Sequence, residues 1–173
     1  MDRYIHTQRL MLVPLSLHQL QWMLQDVNAL EKSLNISIKR DFITARVQRA
    51  IGMKIGKMQA ADEGQHHWFT YWLIVIKDGD IGAGMLGFKG FPNKDGATEI
   101  GYGIDEAYQG RGYMSEAVQG LVDWAFTHPF CQTITATEVE NPASRRLLEK
   151  LGASLVNTTD HSTSWEIRKP TQL

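Results

Sequence analysis

The 173 residues predict an α/β fold of the α+β kind, with a mixed, mostly antiparallel sheet of six to seven strands carrying helices. Three observations lead there. Apolar residues recur at spacings of three and four through much of the first 58 positions. From 69 to 104 the chain turns dense in β-branched and aromatic residues, interrupted by two strong turn signals. A glycine loop, a helical pattern, a strand and a second, asparagine-capped helical pattern then follow in order.

In order along the chain, RLMLVPL at 9–15 is a short apolar run ending near a proline, which suits an edge strand. Ser16 is placed to cap a helix whose apolar face is Leu17, Leu20, Met23, Leu24 and Val27. Residues 35–39 connect to a looser helical pattern over 41–58, weakened by Gly52 and Gly56, and 61–65 is a polar loop. FTYWLIVIK at 69–77 reads as a strand, Asp78-Gly79 as a hairpin turn, and 81–91 as the next strand. PNKDG at 92–96 turns the chain into a third strand at 97–104, completing a meander. Residues 113–127 form an amphipathic helix with Met114, Ala117, Val118, Leu121, Trp124 and Ala125 on one face. A strand at 132–139 precedes a helix opened by Asn141-Pro142 and closed by Gly152. Two last strands fall at 154–156 and 163–168. With no linker or repeat, 1–173 reads as a single domain.

A net charge of −1 argues against a nucleic-acid partner bound through bulk positive charge. No stretch approaches the roughly 18 apolar residues of a membrane span, and the N-terminus lacks a signal-like apolar run. The single cysteine, Cys131, cannot form an intrachain disulfide. Together these favour a cytoplasmic protein. His66 and His67 have no metal-ligand spacing with other donors, so no metal site is expected.

Two glycine motifs need separating. Gly82-Ala83-Gly84-Met85-Leu86-Gly87 matches a dinucleotide fingerprint by letter, but a proline and a turn follow it where the fingerprint requires a helix start. The loop YQGRGYM at 108–114 does run into a helix, whose first turn carries free N–H groups and the positive end of the dipole. Alone, it reads either as a tight turn or as a cradle for a phosphate.

The order of the region 97–153 decides for the cradle. EIGYGIDEAYQGRGYMSEA and the downstream N-x-x-S-x-x-L-L-E-K-L-G of Asn141–Gly152 resemble the GNAT superfamily of acyl-CoA-dependent N-acetyltransferases, and within it the ribosomal-protein N-terminal acetyltransferases. The first 68 residues match only in their order of elements. The resemblance implies a GNAT fold, its sheet splayed at the centre with helices on both faces. It implies acetyl-CoA as cosubstrate and no metal. It also implies direct attack, in a ternary complex, by a primary amine: a protein N-terminal α-amine or a small-molecule amine. The pyrophosphate loop maps onto Gln109, Gly110, Arg111, Gly112, Tyr113 and Met114, with methionine replacing the family's small last residue. Its wider side chain must then point into the core. The pantetheine arm would lie between the strands at 97–104 and 132–139, meeting backbone donors around Tyr102, Gly103 and Ile104 and the side chain of Asn141. Gly101 and Gly103 are expected to allow the bulge that opens this splay.

Acetyl transfer needs an amine that loses its proton, donors for the developing oxyanion, and a proton for the leaving thiolate. Glu99 is the candidate base; its alternative is a solvated strand carboxylate. Ser144 is the candidate acid by resemblance to the subgroup; its alternative is a plain first-turn residue. The tyrosine that many family members use four residues on is replaced by Leu148. Between 39 and 57, six basic residues face one acidic one, which would disfavour a polycationic acceptor. A non-catalytic acyl-CoA-binding or interaction domain stays as the alternative function, and monomer and homodimer both stay open.

Overall fold

The structure, a computed structural model, describes residues 3–171. Its strands are β1 (Ile5–His6), β2 (Leu10–Pro14), β3 (Ser37–Ile38), β4 (Trp72–Ile76), β5 (Ile81–Phe88), β6 (Ala97–Ile104), β7 (Thr133–Val139), β8 (Ser154–Thr158) and β9 (Thr163–Arg168). The helices are α1 (Leu17–Gln25), α2 (Val27–Leu34), α3 (Ala45–Ala60), α4 (His66–Phe69), α5 (Tyr113–Phe126) and α6 (Pro142–Lys150). The sheet order is β1-β2-β4-β5-β6-β7-β9-β8, with β3 beside β5. The seven strands expected are present; β1 and β3 add two residues each.

Local chemistry sets most boundaries. Ser16 accepts from Gln19 N while the Gln19 side chain accepts from Ser16 N, a reciprocal capping box that starts α1. Asp26 then ends α1 and caps α2 through its bond from Ala29 N, so the expected single helix is two. α3 starts at Thr44, whose side chain accepts from Val47 N, rather than at residue 41.

β2 is not an edge strand. β1 covers one side of it, and β4 pairs along the other. Arg9 and Leu15 bond β4's neighbours Lys77 and Tyr71, so the even residues of β2 face β1. Pro14 is one of these, past the end of β1's pairing, and its missing N–H costs no ladder bond.

Strand alternation divides the core. Trp72, Ile74, Ile76, Leu86 and Phe88 face α5 and α6 in one buried cluster. Leu73, Val75 and Met85 face α1, α2 and α3 in the other. The fingerprint-like glycines lie inside β5. A Cβ on Gly84 would stand 2.4 Å from the Gly103 carbonyl oxygen, so glycine is required by close strand approach.

The central feature is where the sheet parts. β6 and β7 run parallel and pair only through Ala97–Thr133, Thr98–Ile134 and Glu99–Thr135. β6 itself stays in regular register with β5 from Phe88–Ile100 to Gly84–Ile104. The bulge expected at Gly101 and Gly103 is therefore not there. The irregularity is in β7, which loses register with β9 between Ala136 and Val139, where Glu138 takes φ 52.

Candidate active site

Beyond the parting, β6 presents a free edge. Lys89 N bonds the Glu99 carbonyl and Asp105 N bonds the Ala83 carbonyl, so the odd residues of β6 spend their backbone groups on β5. Tyr102 and Ile104, being even, turn theirs toward the gap. Gly103, expected to donate with them, points its amide to β5 at Met85.

A cleft of about 400 Å³ opens along this edge. Tyr102, Gly103 and Ile104 form one wall and Asn141 and Ser144, at the start of α6, form the other. Gln109, Gly110, Gly112, Tyr113 and Met114 close its end. Gly110 (φ 73) and Gly112 (φ 79) both sit in the left-handed region. Gly112 caps α5 with no side-chain bond to the first turn, leaving that turn's amides without a side-chain cap. Met114 packs against the core. Arg111 does not line the cleft; its guanidinium lies 5.5 Å from the Tyr108 ring, and its carbonyl accepts from Arg9 Nη1 at 2.9 Å.

The loop is held from far away in sequence. Glu116, in the first turn of α5, accepts from Thr7 Oγ1 (2.6 Å), Arg9 N (2.7 Å) and Arg9 Nε (2.7 Å). Burial alone would raise the Glu116 pKa, but these bonds and the Arg9 charge bring it below the ordinary carboxylate value. Arg9 also stacks 4.4 Å over the Tyr113 ring.

On α6, Asn141 Oδ1 accepts from Ala143 N at 2.8 Å, so its cap is real. Ser144 is half-buried and lines the cleft across from Tyr102. Burial raises the Tyr102 pKa. Leu148 is fully buried. Arg146 and Lys150 also line the cleft. Sequence reading passed over both, although their spacing from Ala143 puts all three on one helical side.

Glu99 is not in this cleft. It projects from the opposite face of β6 to Tyr102 and sits at the parting of the strands, ion-paired with Lys89 and accepting from Thr137 Oγ1 at 2.6 Å. The two catalytic candidates are therefore on opposite faces of β6. On the Glu99 face, Lys57 Nζ donates to the Lys89 carbonyl at 2.7 Å. Lys54 is buried, donating to the carbonyls of Phe88 (2.6 Å) and Phe69 (3.3 Å) with its ammonium 4.4 Å from the Tyr71 ring. The basic run of α3 is thus partly a buried anchor.

Cys131 is buried, which pushes its thiol up to about 11 and makes it a poor nucleophile. Among the described residues, no group of three or more His, Cys, Asp or Glu side chains could hold a metal, and no helix is long and apolar enough to cross a membrane.

Residues 9–154 match the family model of the acetyltransferase (GNAT) domain. The chain is 37% identical over 98 residues to YjdG of Bacillus subtilis, an uncharacterised N-acetyltransferase, across 56% of this chain and 58% of that protein. It is 26% identical over 85 residues to the ribosomal-protein-serine acetyltransferase of Escherichia coli, across 49% of this chain and 47% of that one. The chain thus spans about half the length of these curated relatives. Among solved structures it resembles RimL, the ribosomal L7/L12 alpha-N-protein acetyltransferase in complex with coenzyme A. That likeness has a TM-score of 0.65 at 19% identity and covers 95% of this chain and 97% of that one.

Proposed function

The chain belongs to the GNAT acetyltransferase family, and on that premise we propose that it moves an acetyl group from acetyl-CoA to a primary amine by direct attack in a ternary complex. One observation carries the reading. The cleft that runs from the amides at 110–114 to Ser144 opens along β6 just beyond the point where its pairing with β7 ends. An extended amide-bearing arm can pair with the turned-out backbone of Tyr102 and Ile104 while a pyrophosphate rests on the first turn of α5. Arg146 and Lys150 add positive charge for the remaining phosphate.

In this arrangement the Tyr102 amide, next to the parting of the strands, faces the thioester oxygen as it gains charge, while the Tyr102 carbonyl and the backbone of Ile104 pair with the arm. Ser144 gives a proton to the departing sulfur. Glu99, across β6, takes the amine's proton directly or through a water. A free α-amine, with a pKa of about 8, needs less help than a lysine at about 10.4, which favours a peptide N-terminus or a weakly basic small amine. The acceptor side carries Lys57 and Lys89 beside Glu99, which disfavours polycations.

The test is release of free CoA from acetyl-CoA across a panel of amines: short peptides, amino acids and small monoamines. Amine-dependent release with at least one class is expected. Binding of acetyl-CoA with no amine raising release above hydrolysis would refute the proposal.

A further inference from the structure

We propose that Thr137 is the positioning residue for Glu99: its hydroxyl holds one carboxylate oxygen so that the other stays free for the acceptor's proton. The inference rests on the acetyl-transfer reading above, with Glu99 as base, and adds a residue that reading does not use.

A glutamate side chain has several rotatable bonds, and left alone it spreads over many rotamers. A base must stand within about 2.6–3.2 Å of the proton it takes, or one water away, so something has to fix it. Glu99 is gripped from both neighbouring strands. On the β5 side stands Lys89, whose amide donates to the Glu99 carbonyl at 2.8 Å and whose ammonium pairs with Oε1. On the β7 side, Thr137 Oγ1 donates to the same oxygen at 2.6 Å. Both bonds fall on Oε1, so Oε2 has no partner among the described residues.

The two grips differ. The Lys89 side chain is long and 61% exposed, and an ion pair of that kind is weak and screened by salt. Thr137 is short and β-branched, with few rotamers to lose. It stands two residues past Thr135, where the pairing of β7 with β6 ends, and inside the stretch where β7 loses register with β9. Had the pairing continued, Thr137 would face Gly101; with the strands parted, its hydroxyl reaches back to Glu99.

Gly101 lies on the Glu99 face of β6, and a Cβ there would meet nothing within 4 Å. Open ground for an amine therefore adjoins the carboxylate. In the step itself the amine nitrogen bonds the thioester carbon, the carbon–sulfur bond breaks and the sulfur keeps its electron pair. Oε2 takes the proton the amine sheds, directly or through a water, and the sulfur takes one from Ser144.

The experiment measures turnover, with an amine that supports CoA release, and acetyl-CoA affinity. The proteins are the wild type, Thr137→Val, Thr137→Ser, Glu99→Gln and the Thr137→Val/Glu99→Gln double variant. Valine keeps the shape and the branching and removes only the hydroxyl's bond. It should lower kcat about tenfold while the amine KM and the acetyl-CoA affinity stay within about threefold. Serine should restore kcat to within about threefold of the wild type. With Glu99 already replaced by glutamine, valine should cost less than about twofold more, because there is no base left to position. Full activity in Thr137→Val, or a loss as large in the glutamine background as in the wild type, overturns the role of Thr137 and leaves acetyl transfer standing. Full activity in Glu99→Gln removes the base and this proposal with it. Absence of amine-dependent CoA release in the wild type overturns both readings. Should Thr137→Val fold poorly, Thr137→Ala decides by the same comparison in the glutamine background.

Discussion

Replacing Lys54 with methionine should flatten the pH dependence of stability between pH 7 and 10. Burial, with Lys57 and Lys89 nearby, lowers the Lys54 pKa from 10.5 to about 7. Across that window the unfolded chain holds a proton on this amine that the folded chain does not. Stability therefore rises with pH, by about 1.4 kcal/mol per pH unit, and falls again as pH drops toward 7. From pH 7.5 to 9.5 that is at most about 3 kcal/mol. The Phe88 and Phe69 carbonyls and the Tyr71 ring favour the ammonium and pull the realised gain toward about 2 kcal/mol. With an ordinary slope for urea, this is about 1 M in the unfolding midpoint. Methionine fills the same channel without a titrating group, and its loss of two hydrogen bonds is a constant offset. Urea unfolding of both proteins at pH 7.5, 8.5 and 9.5 is the assay, and the difference between them is the readout, because every other titrating group cancels. A difference that stays constant across pH would show that the amine remains charged in the fold, and the reasoning would fail.

Gly112→Ala forces a side chain into the left-handed region and brings its Cβ to 3.3 Å from Arg9 Nη2. This strains the loop by about 1–2 kcal/mol, which it sheds by leaving the left-handed region and turning its amides off the cleft; restoring the loop shape on binding then lowers acetyl-CoA affinity by about tenfold in calorimetry, and unchanged affinity would separate the loop from pyrophosphate binding. Glu99→Gln should lower kcat/KM by about a hundredfold while leaving acetyl-CoA affinity within about threefold of the wild type, and unaltered turnover would remove Glu99 as the base.

Local signals were legible where the physics is local. Ser16 with Gln19, Asp78-Gly79, and Asn141-Pro142 ahead of Gly152 each announce a boundary through bonds made within a few residues. β6 was readable to the residue. The two-residue strands β1 and β3 were not, because their existence depends on partners elsewhere in the chain. Gly101 and Gly103 suggested a bulge, yet the distortion lies at Thr137–Glu138 in β7, where no glycine marks it. The cleft's loop and α6 cap stood out as motifs. Arg9 and Glu116 did not, since 107 positions separate them. Lys54 looked like one more solvated charge in a basic run, and only the packing of α3 on β4 and β5 reveals it as buried.

The brevity of the contact between β6 and β7 has a mechanical consequence. Three residue pairs are all the backbone pairing that stitches these two strands across the seam. An extended guest threaded along the exposed edge of β6 would act as a temporary splint, so the scaffold is stiffest while loaded. It would loosen as the spent carrier departs, which couples turnover to the give of the seam itself.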